Sequence, residues 1–226
     1  MNRKNWKEWA YIFIMIGPLQ YIIFTGIAMI FYTGGILTNP NTTGYSFWQN
    51  FFSDLGRTVA LSGRSNIISF SIFTISALIL VFSLAFYIIA MQFFFKNNHF
   101  LYKLSRINTI LGLIAGFFMF CVVLTPWNLF PTIHIIFSRL FSLTSLFVLI
   151  IFSFIIIKNE DYPNLYSYVY LIIIFFALIY TLITVFGPSM VTSEGLFLQA
   201  TAQKFSQYSW LNCFIFQGYG SIKLLK

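Results

Sequence analysis

The chain has 226 residues, is 59% hydrophobic and 8% charged, carries a formal net charge of +8 and has a mean hydropathy of +0.84. Soluble domains carry about 25% charged residues, so this composition excludes a water-soluble core and puts the chain among integral membrane proteins. Its cations are scattered through short loops and terminal segments, which excludes a nucleic-acid footprint and fits the charge placement that orients membrane proteins.

Crossing the hydrocarbon core as a helix takes about 20 apolar residues, and lipid-exposed backbone must satisfy its own hydrogen bonds, so apolar runs of this length predict an all-α transmembrane bundle. Six stretches qualify within a single domain. The first, about 11–32, follows a basic leader with Arg3, Lys4 and Lys7; it exceeds a signal-peptide core and lacks a small-residue cleavage site, so a retained span is expected. The second is about 67–95, long enough to tilt, and the third about 107–124. The fourth, about 132–157, contains Arg139; the fifth is about 165–186; the sixth, about 195–220, contains Lys204.

Nine cations fall on one side of such a six-span chain: Arg3, Lys4, Lys7, Lys96, Lys103, Arg106, Lys158, Lys223 and Lys226. Arg57 and Arg64 fall on the other, so both termini are expected in the cytoplasm and the cell membrane is the expected location. Asn41-Thr42-Thr43 in the first outward loop fits the short N-glycosylation pattern. Cys121 and Cys213 lie in apolar runs without ligand spacing and read as small buried hydrophobes.

Ionisable groups inside a span need a partner or water. Lys204 lies about nine residues into the last span, about 14 Å deep, too far for its side chain to reach the surface easily. An interior seam is also expected, with His134, Ser138, Ser142 and Ser145 sharing one face of the fourth span. Gln199, Gln203, Ser206 and Gln217 form the corresponding set on the sixth; plain helix-to-helix hydrogen bonding is the alternative account, and it suits the serines better than Gln203 with Lys204. The outward loop holds Asp54 beside Arg57. Pairing of Asp54 with Arg139 or Lys204, near His134, would make those cations tolerable; capping of a short helix beginning at Leu55 is the plainer role.

The segment Phe52-Ser53-Asp54-Leu55-Gly56 resembles the ISDLG signature of the six-span family designated domain of unknown function 998, which is similar in general plan to Frag1/DRAM/Sfk1-type membrane proteins. The resemblance continues at His134 opening the fourth span and at Gln203-Lys204 followed by Trp210 in the last. Phe52 stands where the family has an aliphatic residue, and Asn128 is the nearest polar residue where it often has an acid before the fourth span. The resemblance implies the six-span plan and transfers no activity.

Three functions fit these residues. The first is an outward-facing pocket that binds a lipid headgroup or small anion, with Asp54, Arg57, His134, Arg139, Gln203 and Lys204 as the ligand-binding set and membrane lipids as partners. The second is an accessory or structural subunit of a larger membrane assembly, with a membrane-protein partner. The third is an intramembrane lipid-modifying enzyme. For that role, His99 and His134 are too few for a zinc site, no GxSxG elbow surrounds Ser53 or Ser138, and no cofactor or metal is expected. Retinal linkage to Lys204 is excluded by the lack of carboxylates in the other spans.

Overall fold

A computed structural model describes residues 3–225. Lys226, counted above on the cationic side, lies outside the described residues, as do the side chains of Arg3 and Lys4. The described chain is helical: α1 (Arg3–Phe31), the short α2 (Phe52–Leu55), α3 (Ile67–Met91), α4 (His99–Leu124), α5 (Pro131–Lys158), α6 (Leu165–Phe186) and α7 (Ser193–Leu225). A 3-10 turn, Gln92–Phe95, follows α3. Strand-like pairing among the described residues is confined to two isolated bridges in the first loop, Ile36 with Asn39 and Val59 with Ser65.

Five helices, α1, α3, α4, α5 and α6, are long and apolar enough to cross a membrane. The expected third span began near residue 107, but α4 starts at His99. Asn98 explains the extension: its side chain accepts the Leu101 N–H at 3.1 Å, capping the helix ahead of its apolar run. Pro131 opens α5 at a position where a missing N–H costs nothing. α7 is as long as a span but too polar to be counted with the other five.

The six long helices pack in chain order as a ring, α1 on α3, α3 on α4, and so on to α6 on α7, with α7 closing against α1. Gly218 permits that closure, because a Cβ there would lie 2.7 Å from Ile14 Cγ2 and 2.8 Å from the Tyr11 carbonyl. At one end of the ring Trp6 meets Phe93 edge-on at 5.8 Å, Tyr162 packs on Phe94 and Phe95, and the Ser221 hydroxyl reaches Met91. This end is filled by buried aromatics, with the Tyr87 and Tyr170 hydroxyls 3.2 Å apart and Phe152 stacked on Tyr170. The opposite end carries the long first loop, the 126–130 turn and the 187–192 turn. It is less tightly filled, and the cavity lies there.

Candidate functional site

The first loop is built around Asn50, which is fully buried. Its side-chain oxygen accepts the Ser46 N–H at 2.8 Å, and Nδ2 donates to the Gly35 carbonyl at 3.0 Å and to Asp54 Oδ2 at 3.2 Å. The same carboxylate oxygen accepts the Phe51 N–H at 2.9 Å, so Asp54 caps the start of α2 from within the turn. Asp54 is 8% exposed. Burial holds its carboxyl above the ordinary value of 3.8, against the pull of Asn50, the Phe51 amide, Arg57 and Lys204.

Lys204 reaches this loop from α7 and is only 2% exposed. Its ammonium donates to the main-chain carbonyl of Asn50. It also sits 5.2 Å from the ring centre of Phe47, 5.4 Å from that of Phe52 and 5.5 Å from that of Tyr45. A desolvated cation gains from such ring faces and from a carbonyl dipole, so the loop encloses the charge in a three-ring cage. Asp54 and Lys204 are therefore linked through Asn50, one through its side chain and the other through its backbone. Gln203 adds a second tie beside it, its Oε1 accepting the Phe52 N–H at 2.9 Å. A third tie comes from the turn before α5: Asn128 accepts the Thr58 N–H at 3.0 Å and donates to the Thr58 hydroxyl at 2.8 Å.

Beneath this roof lies a cavity of about 340 Å³. Asp54 and Arg57 line it from the loop, His134 and Arg139 from α5, and Gln203 from α7. Its deeper wall is apolar, with Ala77, Met119, Val123 and Phe141. His134 is 7% exposed, and its Nδ1 lies 2.7 Å from the Thr125 carbonyl, which can only accept. The neutral ring therefore carries its proton on Nδ1 and leaves Nε2 as an acceptor. Trp127 fixes the ring edge-on at 5.5 Å. Arg57 is half-buried and donates through Nε to the Val59 carbonyl at 3.3 Å, whereas Arg139 is exposed.

No family model, curated protein or solved structure matches the chain.

Five of the six sequence-derived residues line one cavity, and the sixth, Lys204, is sealed behind its roof. Arg64 and Glu194 are exposed and do not line this cavity. Of the expected polar seams, Ser138, Ser142, Gln199 and Ser206 reach it, while Gln217 donates to the Tyr166 carbonyl near the far end of the ring. Among the described residues no group of three or more His, Cys, Asp or Glu comes together as a metal site. Sequence reasoning missed Asn50 and the aromatic cage. The Asn50–Asp54 spacing was the available signal for the first; the second had none, because a backbone carbonyl and Phe faces carry no residue-specific mark.

Proposed function

We propose that this chain is a six-span protein of the cell membrane, with both termini cytoplasmic, whose outward cavity binds the anionic headgroup of a membrane lipid. The observation that carries this reading is the cavity itself, with two guanidinium groups beside an apolar wall. Such a polarity gradient suits an amphiphile, since charge-assisted bonds hold the headgroup while the apolar wall receives the start of a chain. The cavity is near the small end of ligand sites, which span about 300–1,000 Å³.

The sixth span in this reading is α7. It runs the height of the ring, with Lys204 tied to the first loop and Ser221 near Met91, and it turns much of its polar surface inward. The asymmetry of Lys and Arg supports cytoplasmic termini. The resemblance at residues 52–56 to domain of unknown function 998 supports the same plan. Labelling of single cysteines by a membrane-impermeant thiol reagent tests the orientation: Thr43→Cys should react from outside intact cells and Asn97→Cys only after permeabilisation.

The binding reading is tested in nanodiscs by native mass spectrometry of retained lipid. The wild-type chain should keep phosphatidylglycerol in preference to phosphatidylcholine, and Arg57→Gln with Arg139→Gln should erase the preference. Equal retention of both lipids by the wild type overturns the reading. A stoichiometric protein partner that copurifies and excludes lipid would establish the accessory-subunit alternative instead.

A further inference from the structure

The cavity's roof is fastened and one of its sides is not. The loop is held by Gln203, by Lys204 and by Asn128, so the roof is tied to α7 and to the turn before α5. Below the cavity, Trp210 packs against Phe141 at 6.5 Å and against Phe214 at 4.8 Å. α4 and α5 are joined by Phe118 with Phe137 and by the His134–Thr125 bond. α6 and α7 are joined by stacked Phe176 and Phe205 and by Gln199, which donates to the Pro188 carbonyl at 2.8 Å.

α5 and α6 differ from these pairs. Their ties lie in the aromatic half: Phe152 stacks on Tyr170 at 6.1 Å, and the Ser167 hydroxyl donates to the Ser153 carbonyl at 3.2 Å. The buried residues of α6 are Tyr166, Ser167, Tyr170 and Ile173, all in its first half. On α5, His134 is the one buried residue before Val148. Toward the outward end, Leu178, Leu182, Val185 and Phe186 of α6 are exposed by 45%, 55%, 64% and 80%. Apolar side chains facing acyl chains carry no hydrophobic penalty, so two helices can part there without one. Polar groups in the same gap are another matter. Arg139 and Ser142 are exposed and line the cavity. Arg139 lies eight residues beyond Pro131, about 12 Å along the helix, where a guanidinium requires an anion or water. Asp54 spends its Oδ2 on the Asn50 and Phe51 N–H groups of its own turn.

We infer that the cavity opens sideways to the outer leaflet between the outward halves of α5 and α6, and that its ligand is an acylated phosphate ester whose phosphate meets Arg139 while its chains leave through that gap. This rests on the headgroup-binding reading above. The size of the cavity fits the inference: about 340 Å³ holds a headgroup and the start of a chain, not two whole acyl chains.

Ser142→Trp would fill the gap from α5. Thr181→Trp would fill it from α6, because Thr181 continues the helix face of Tyr170, the residue stacked on Phe152. Leu143→Trp, at an exposed position that does not line the cavity, controls for added bulk. Retention is measured for dioleoyl phosphatidylglycerol and for its water-soluble dihexanoyl analogue. Either gap variant should weaken the long-chain lipid by roughly tenfold or more and the short-chain one by less than about threefold, with the control unchanged for both. Equal weakening of both lipids by the gap variants would mean that the substituted positions belong to the headgroup site, and no weakening would mean that the chains run elsewhere; each overturns the side opening. Failure of the wild type to retain either lipid would instead defeat the headgroup reading itself. Using one variant on each wall keeps the test decisive if one of them does not fold.

Discussion

Replacing Lys204 by Met keeps an unbranched stem in a 2%-exposed space and removes the charge together with its N–H donors. The wild-type ammonium gives the loop a charged hydrogen bond to Asn50, worth about 1.5–3 kcal/mol, and ring-face contacts worth about 0.5–2 kcal/mol each. Against this stands the cost of desolvating the ammonium, several kcal/mol, which Met does not incur. These opposing terms predict a small change in global stability together with a local loss, since the Asn50 carbonyl loses its charged donor. Amide hydrogen exchange separates the two effects. The amides of Asn50, Phe51, Phe52 and Asp54 should exchange roughly ten- to hundredfold faster in Lys204→Met, the rate equivalent of losing one charged bond. Amides around Gln217, at the far end of α7, should keep wild-type rates. Unchanged exchange at residues 50–54 would refute the cage as the loop's anchor.

Burial raises the Asp54 carboxyl above 3.8, so the folded chain binds that proton more tightly than the unfolded chain does. Its destabilising contribution therefore grows as pH rises from the ordinary value through the raised one, and acidification from neutral pH should raise the wild-type melting temperature relative to Asp54→Asn, which lacks the titration. Gly17→Ala puts a Cβ 2.6 Å from that of Ser83 and should destabilise the α1–α3 contact by about 1–3 kcal/mol in thermal unfolding, with Ser83→Gly recovering most of the loss. Asn128→Ala removes both bonds to Thr58 and should speed exchange of the Thr58 amide, a loss of about 1–3 kcal/mol, while Asn128→Asp keeps an acceptor for that amide and should lose less.

Long apolar runs are the most legible feature of such a chain, because the bilayer demands about 20 residues per crossing and the five apolar helices meet that demand directly. Their ends were less legible: α4 begins eight residues before its apolar run, where Asn98 caps a stretch that composition alone assigns to a loop. The site was legible through cost. Arg139, His134 and Lys204 stood out because polar groups in a span must be satisfied, and two of them do meet in the cavity. Their partners were hidden, because Lys204 uses a main-chain carbonyl and three ring faces, and His134 uses the main-chain carbonyl of Thr125. Any residue could supply such a carbonyl, so only the fold says which one does.

Arg139 and Lys204 consequently have different meanings, although the sequence presents them alike. Lys204 is held by the Asn50 carbonyl and three ring faces and has almost no exposure, and an ammonium so enclosed can hold a loop but cannot meet a ligand unless the loop leaves. Arg139 is exposed and lines the cavity beneath that same loop. The first arrangement supports the second: a roof fixed by Lys204 and Gln203 keeps Asp54 bonded within its own turn, rather than free to neutralise Arg139. If the cage exists for that purpose, loosening it should let Asp54 compete for the guanidinium. Lys204→Met should then weaken retention of anionic lipid even though Lys204 never touches it, and adding Asp54→Asn to Lys204→Met should restore retention by removing the competing carboxylate.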